Sequence, residues 1–180
     1  MLPAADPAAA AAGQGYWVSK TQAERAAWAA AEEAGLDLVT ILPNFVMGPA
    51  LSRRDDGISC GFMKGWLEGK ASTGNITYCD VRDVARAHVL AAELPHAAGR
   101  YIVSHRGSAD PAFISRTLRA RIPRLDIPEG EALAAEETID NSKVERELGL
   151  HLTPLAASFA DMAATLIALG VAQPKPTAAA

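Results

Sequence analysis

Tyr16 and Lys20 stand four residues apart at the head of the stretch Tyr16-Trp17-Val18-Ser19-Lys20-Thr21-Gln22-Ala23-Glu24. On a helix that spacing stacks a phenol and an ammonium on one face, where both can reach the same bound molecule. A free phenol ionises only near pH 10, so acid–base work near neutrality requires about 4 kcal/mol of preferential phenolate stabilisation. One ammonium in a partly desolvated cleft supplies much of that, and a cationic cofactor could supply the rest. The pair is therefore a candidate proton-transfer site, although a Tyr and a Lys at this spacing also occur in helices that do no chemistry.

The elements that must position this pair follow from hydrophobic pattern and punctuation. Helix formers run unbroken from Tyr16 to Ala34, and Gly35 supplies a C-cap. Leu36 to Leu42 is a short apolar, β-branched run that Pro43 terminates, as a buried strand of a parallel sheet requires. Asn44-Phe45-Val46-Met47-Gly48-Pro49 reads as a loop at the carboxyl end of that strand, the edge where open α/β sheets bind ligands. Ser52 to Gly57 is a polar loop, and Ile58 to Glu68 a helix rich in Phe62, Met63 and Trp66.

Ile76 to Cys79 and Arg100 to Val103 read as strands. Val81 to Leu94 reads as a helix whose inward face is Val81, Val84, Ala85, His88, Val89 and Ala92. On that face His88 is expected to be packed and hydrogen-bonded. Asp80 and Asp83 at its start suit capping and loop-fixing roles near the N-terminal dipole. Asp110 is the N-cap of a helix through Arg121, Lys143 to Leu148 is a short helix ended by Gly149, and a last helix runs from Leu155 to Leu169. Glu24, one turn beyond Lys20, could pair with it.

The 180 residues suffice for one substantial core, with no linker between two full domains. Half the composition is hydrophobic (49%), only 6% is aromatic, and alanine is abundant, which suits alanine-rich helices on a sheet. A net charge of −4 argues against a nucleic-acid or anionic-membrane surface. Cys60 and Cys79 match no metal or redox spacing; they read as buried, reduced thiols of a cytoplasmic protein, with a disulfide as the alternative. Leu155 to Ala172 contains Asp161 and many alanines and reads as an amphipathic packing helix rather than a membrane span. An Ala-rich leader over 1–14 and a tail over 171–180, Pro-containing from Gln173, are expected to be disordered.

Five ordered blocks carry a resemblance. They are Tyr16-x-x-Ser19-Lys20-x-x-Ala23-Glu24, Leu42-Pro43-Asn44-Phe45-Val46-Met47-Gly48-Pro49 and Asp80-Val81-Arg82-Asp83-Val84-Ala85-Arg86-Ala87-His88, then Gly99-Arg100-Tyr101-Ile102 and Asn141-Ser142-Lys143 ahead of Glu147-Leu148-Gly149. Together they resemble the C-terminal half of an extended short-chain dehydrogenase/reductase of the NAD-dependent epimerase/dehydratase family, on the dihydroflavonol reductase and cinnamoyl-CoA reductase branch. The resemblance covers residues 15–170. It implies an α/β fold, part of a doubly wound parallel Rossmann-like sheet with a small C-terminal substrate-binding region.

It also implies a reductase of a small carbonyl substrate that uses NADP(H) or NAD(H), with NADP(H) preferred. Tyr16 would be the general acid, and Lys20 would stabilise its phenolate and hold the nicotinamide ribose. Pro43, Asn44, Phe45 and Val46 would line the nicotinamide pocket, with Ser52, and next to it Arg53, near the diphosphate. Arg53-Arg54-Asp55-Asp56 reads equally as a solvated, self-neutralising loop. Phe62, Met63, Trp66 and Tyr78 would face substrate, or else are ordinary core. No metal is implied.

The sequence departs from the family pattern ahead of Tyr16. Gly13-Gln14-Gly15 follows no strand and leads straight into the tyrosine, so the family's glycine-rich cofactor turn and its upstream catalytic Ser or Thr are not found. The expectation is a fragment of impaired activity, with self-association through an exposed sheet edge. The rivals are a non-catalytic remnant or interaction domain, and a nucleotide-sugar epimerase/dehydratase fragment.

Overall fold

The computed structural model describes residues 15–54, 56–134 and 139–177; the leader and residues 178–180 lie outside the described residues. The chain divides into two units, residues 1–40 with 98–100 and residues 41–97 with 101–180.

The smaller unit is dominated by helix α1, Gly15–Ala34, which ends where Gly35 adopts a φ of +64°. Its side chains are largely exposed, and Ala31 is the buried exception. Leu36 is exposed, and the strand expected from that residue begins only at Val39. The Glu24 carboxylate gathers the unit's polar groups, accepting from Thr40 Oγ1 at 3.0 Å and Arg100 Nε at 2.8 Å.

Strand β1, Val39–Pro43, and a later strand, Gly99–Val103, form one two-stranded sheet. Pro43 is the last residue of its strand, a position where the missing N–H costs no interior ladder bond. Half of the expected loop Asn44 to Pro49 is instead a strand: β2, Phe45–Met47, pairs in parallel with β3, Tyr78–Asp80. The register sets Phe45 against Tyr78, Val46 against Cys79 and Met47 against Asp80. Pro43 thus interrupts the extended chain without ending it, and the chain bends at Gly48, at φ +118°.

In the larger unit β2 and β3 carry the core. Helices α2 (Ile58–Leu67), α4 (Pro111–Arg121, after β4, Gly99–Val103) and α6 (Leu155–Ala168) enclose it. Trp66, Tyr78, Ile114, Leu118, Phe159 and Leu166 are fully buried there. Asp110 caps α4 by accepting from Phe113 N at 2.6 Å, as its sequence position implies. The last helix packs its Phe159, Met162 and Leu166 stripe inward, and no helix among the described residues is long and apolar enough to cross a membrane.

Two further expectations are corrected. Helix α3, Val81–Glu93, turns Asp83 and Ala87 inward, while Val81, Ala85, Val89 and Ala92 are exposed. The polar residue takes the inside because its carboxylate is met there: Thr153 donates to Asp83 from its amide at 2.6 Å and its hydroxyl at 2.9 Å. His88 is accordingly exposed, its Nδ1 bonded to Val84 O at 2.8 Å. The chain from Gln173 to Thr177 is also ordered: Asp126 N donates to Lys175 O at 2.8 Å and Thr177 N to Arg124 O at 3.0 Å. Helix α5, Ser142–Leu148, ends at Gly149 with φ +61°.

Candidate active site

Tyr16 and Lys20 lie in the first two turns of α1, with the Lys20 ammonium 5.4 Å from the centre of the Tyr16 ring. Tyr16 is 63% exposed, and its ring meets the edge of Trp17 at 5.3 Å. Ser19 turns back on the helix and donates to the Tyr16 carbonyl at 2.7 Å. Glu24 does not take Lys20. It is held by Arg100 Nε at 2.8 Å and Nη2 at 3.1 Å, by Trp28 Nε1 at 3.3 Å and by Thr40. The Arg100 hydrogen bonds keep the Glu24 carboxyl below its ordinary range even though partial burial opposes them. With Glu24 so engaged, the Lys20 charge stays on the Tyr16 side of the helix.

The other candidates belong to the larger unit. Pro43 is exposed at the end of β1. Asn44 is a structural tie: its Nδ2 donates to Thr77 Oγ1 at 2.8 Å and Ser104 Oγ at 2.9 Å, and its backbone N to Val103 O at 3.4 Å. Phe45 and Phe62 are half-buried with ring centres 5.3 Å apart, and Tyr78 stands edge-on to Phe45 at 5.7 Å and to Phe159 at 5.0 Å. Met63, Trp66 and Tyr78 are wholly buried, so the side chains reachable from solvent in this aromatic group are Phe45 and Phe62. Burial raises the Tyr78 phenol above its ordinary range, which keeps it neutral.

Val46 pairs with Cys79, whose burial pushes its thiol up to about 12. Ser52 and Arg53 are exposed, and Arg53 lines a cavity of about 540 Å³ with Lys64, Glu68 and Gln173. Arg54 is paired with Asp56, in keeping with the self-neutralising reading of that loop.

The sharpest electrostatic arrangement was read from sequence only as a cap. Asp80, fully buried, accepts from Arg82 N and Arg82 Nε at 2.8 Å each through Oδ1, and from Arg82 Nη2 at 2.8 Å through Oδ2. Arg82 Nη1 reaches on to Asp161 at 2.7 Å. Burial alone would raise the Asp80 carboxyl, but the Arg82 hydrogen bonds outweigh it and hold the group below the usual range.

Similarity to known proteins is consistent across sequence and structure. The chain is 40% identical to tetraketide alpha-pyrone reductase 1 of Arabidopsis thaliana, over 86% of this chain and 48% of that protein. It is 36% identical to cinnamoyl-CoA reductase 1 of Arabidopsis thaliana, over 84% of this chain and 45% of that protein. It thus spans about half the length of the curated relatives it matches. Yeast methylglyoxal/isovaleraldehyde reductase Gre2, solved in complex with NADPH, superposes with a TM-score of 0.67 at 27% identity, over 84% of this chain and 54% of that one. The fold is accordingly the α/β arrangement of Rossmann-type reductases. The family model for NAD dependent epimerase/dehydratase matches residues 4–104, and the chain belongs to that family.

Proposed function

We propose that this chain carries the proton-transfer half of a nicotinamide-dependent carbonyl reductase, with Tyr16 as general acid and Lys20 as its electrostatic partner. The observation that carries the reading is the Lys20 ammonium 5.4 Å from the centre of an exposed Tyr16 ring. Family membership and likeness to reductases support it.

The residues present suit the cofactor. Lys20 offers an ammonium to ribose hydroxyls, and Tyr16 offers a phenol. When bound, the nicotinamide supplies hydride to the carbonyl carbon. Tyr16 gives its hydroxyl proton to the carbonyl oxygen, so the product is an alcohol and the residue is left as phenolate. Lys20 stabilises that phenolate, and the exposed ring regains its proton from solvent. We assign NADP(H) as the preferred cofactor, the cytoplasm as the compartment and a sheet edge as the surface for self-association.

The test is NADPH and NADH titration of the purified chain by fluorescence, followed by turnover of small ketones and aldehydes. Micromolar cofactor binding with Tyr16→Phe lowering turnover by roughly 10²–10⁴-fold is the expected result. Unchanged turnover in Tyr16→Phe would remove Tyr16 from the role. No binding at millimolar cofactor would favour a non-catalytic role.

A further inference from the structure

Lys20 has two possible partners on its own helix. Tyr16 precedes it and Glu24 follows it at the same helical spacing, so both share its face of α1. The ammonium takes the first, 5.4 Å from the Tyr16 ring centre, and makes no ion pair with the described residues. We propose that Arg100 is the positioning residue behind that choice: by holding the Glu24 carboxylate, it leaves Lys20 to Tyr16. The assignment rests on the reductase reading above and adds to it a residue that acts only through Glu24 and Lys20.

Geometry supplies the first argument. Arg100 meets Glu24 in two-point fashion, Nε to Oε1 at 2.8 Å and Nη2 to Oε2 at 3.1 Å. Oε1 also accepts from Thr40 Oγ1 at 3.0 Å and Trp28 Nε1 at 3.3 Å. The carboxylate is thereby drawn onto the strands, although Lys20 lies one turn away along the helix. The Glu24 side chain is only 12% exposed, so solvent is a poor substitute for the guanidinium. Removing Arg100 leaves a largely buried charge in need of a cation.

The placement of the other charges supplies the second. Strand β1 carries no charged side chain, and on β4 Arg100 is the one charge, while Tyr101 donates its hydroxyl to Glu147 at 2.9 Å. The remaining charged groups of the smaller unit are Arg25, Glu32, Glu33 and Asp37. Arg25 directly follows Glu24 and so projects about 100° around the helix from it, and Glu32 and Glu33 are two turns or more beyond. Asp37 lies past Gly35, outside the helix. Lys20 is thus the cation that a released Glu24 meets on its own face.

Four chains test this: the parent, Arg100→Ala, Glu24→Gln and the double variant. The first readout needs no nicotinamide and is the nuclear Overhauser contact between the Lys20 ε-methylene and the Tyr16 ring. It should be present in the parent and in Glu24→Gln, weakened in Arg100→Ala, and regained in the double variant, where no carboxylate is left to capture Lys20. The second is carbonyl turnover with NADPH, which should fall by roughly two- to fivefold in Arg100→Ala, the reach of an exposed ion pair. The alkaline limb of its pH profile should move upward, because a phenolate without its cation forms less readily. The double variant should recover both. Arg100→Lys, a milder second variant that keeps the charge, should stay near the parent. A clamp that served the fold alone is lost in the single and the double variant alike. A double variant no better than Arg100→Ala, or an undiminished Overhauser contact in Arg100→Ala, would therefore overturn the proposal. If no chain turns over NADPH, the reductase reading falls, and the Overhauser contact still decides the role of Arg100.

Discussion

Gly48 abuts the Asp80 carboxylate: a β-carbon built on Gly48 would stand 3.1 Å from each carboxylate oxygen and 3.0 Å from Val81 Cγ1. Its φ of +118° adds a backbone penalty for any other residue. Gly48→Ala should therefore lower stability by about 2 kcal/mol or more, since both the strained backbone and a buried, hydrogen-bonded carboxylate would have to give. Urea denaturation is the measurement, with a lower midpoint at unchanged slope as the expected result. An unaltered midpoint would mean that Asp80 moves aside freely.

The Asp80–Arg82 pair makes acid stability a second readout. Because folding depresses the Asp80 carboxyl, its contribution is complete above its unfolded value of about 4 and fades as pH falls through the lower native value. Arg82→Gln removes the guanidinium but leaves the carboxylate fully buried. The melting temperature should then begin to fall at a higher pH than in the parent. The loss at pH 7 should be about 1–2 kcal/mol, less than for a fully buried pair because Arg82 is 42% exposed. Melting curves between pH 3 and pH 7, at half-unit steps, check both points; coincident profiles for parent and variant would refute them.

Local signals were legible where the chemistry is local. Gly35 and Gly149 end helices by left-handed conformations, and Asp110 caps α4, because each depends on one residue and its immediate neighbours. Residues 45–47 and the inward face of α3 were misread because they depend on distant partners. Val46 becomes a strand residue only because Cys79 lies alongside, and Asp83 faces inward only because Thr153 meets it there. The Tyr16/Lys20 spacing was visible from the start, whereas the Asp83–Thr153 contact joins residues 70 positions apart that no periodicity links.

The two cysteines should differ sharply as nucleophiles. Cys79 is fully buried, and with its thiol pushed up to about 12 it holds only about one part in ten thousand as thiolate at pH 8. Cys60 is half-buried on α2, and both are free. Native labelling with a thiol-selective disulfide reagent should modify Cys60 first and leave Cys79 until urea is added, as peptide mass mapping would reveal. Equal rates in the folded protein would show that β2 and β3 separate readily.

Glu24 offers a test of whether its cluster serves the fold or the chemistry. Arg100, Trp28 and Thr40 consume its acceptor capacity, and depression of its carboxyl means this support is present above about pH 4.3 and lost as pH falls through the native value. Glu24→Gln should cost about 1–2 kcal/mol at pH 7, because a charge-assisted hydrogen bond is replaced by a neutral one. Arg100→Ala in that background should add far less than it does in the parent, since both changes remove the same contact. Lys20 lies over Tyr16 and not against Glu24, so Glu24→Gln should leave the pH dependence of NADPH oxidation where it was. A shifted profile would instead show that the Glu24 charge reaches the Tyr16 phenol through Lys20.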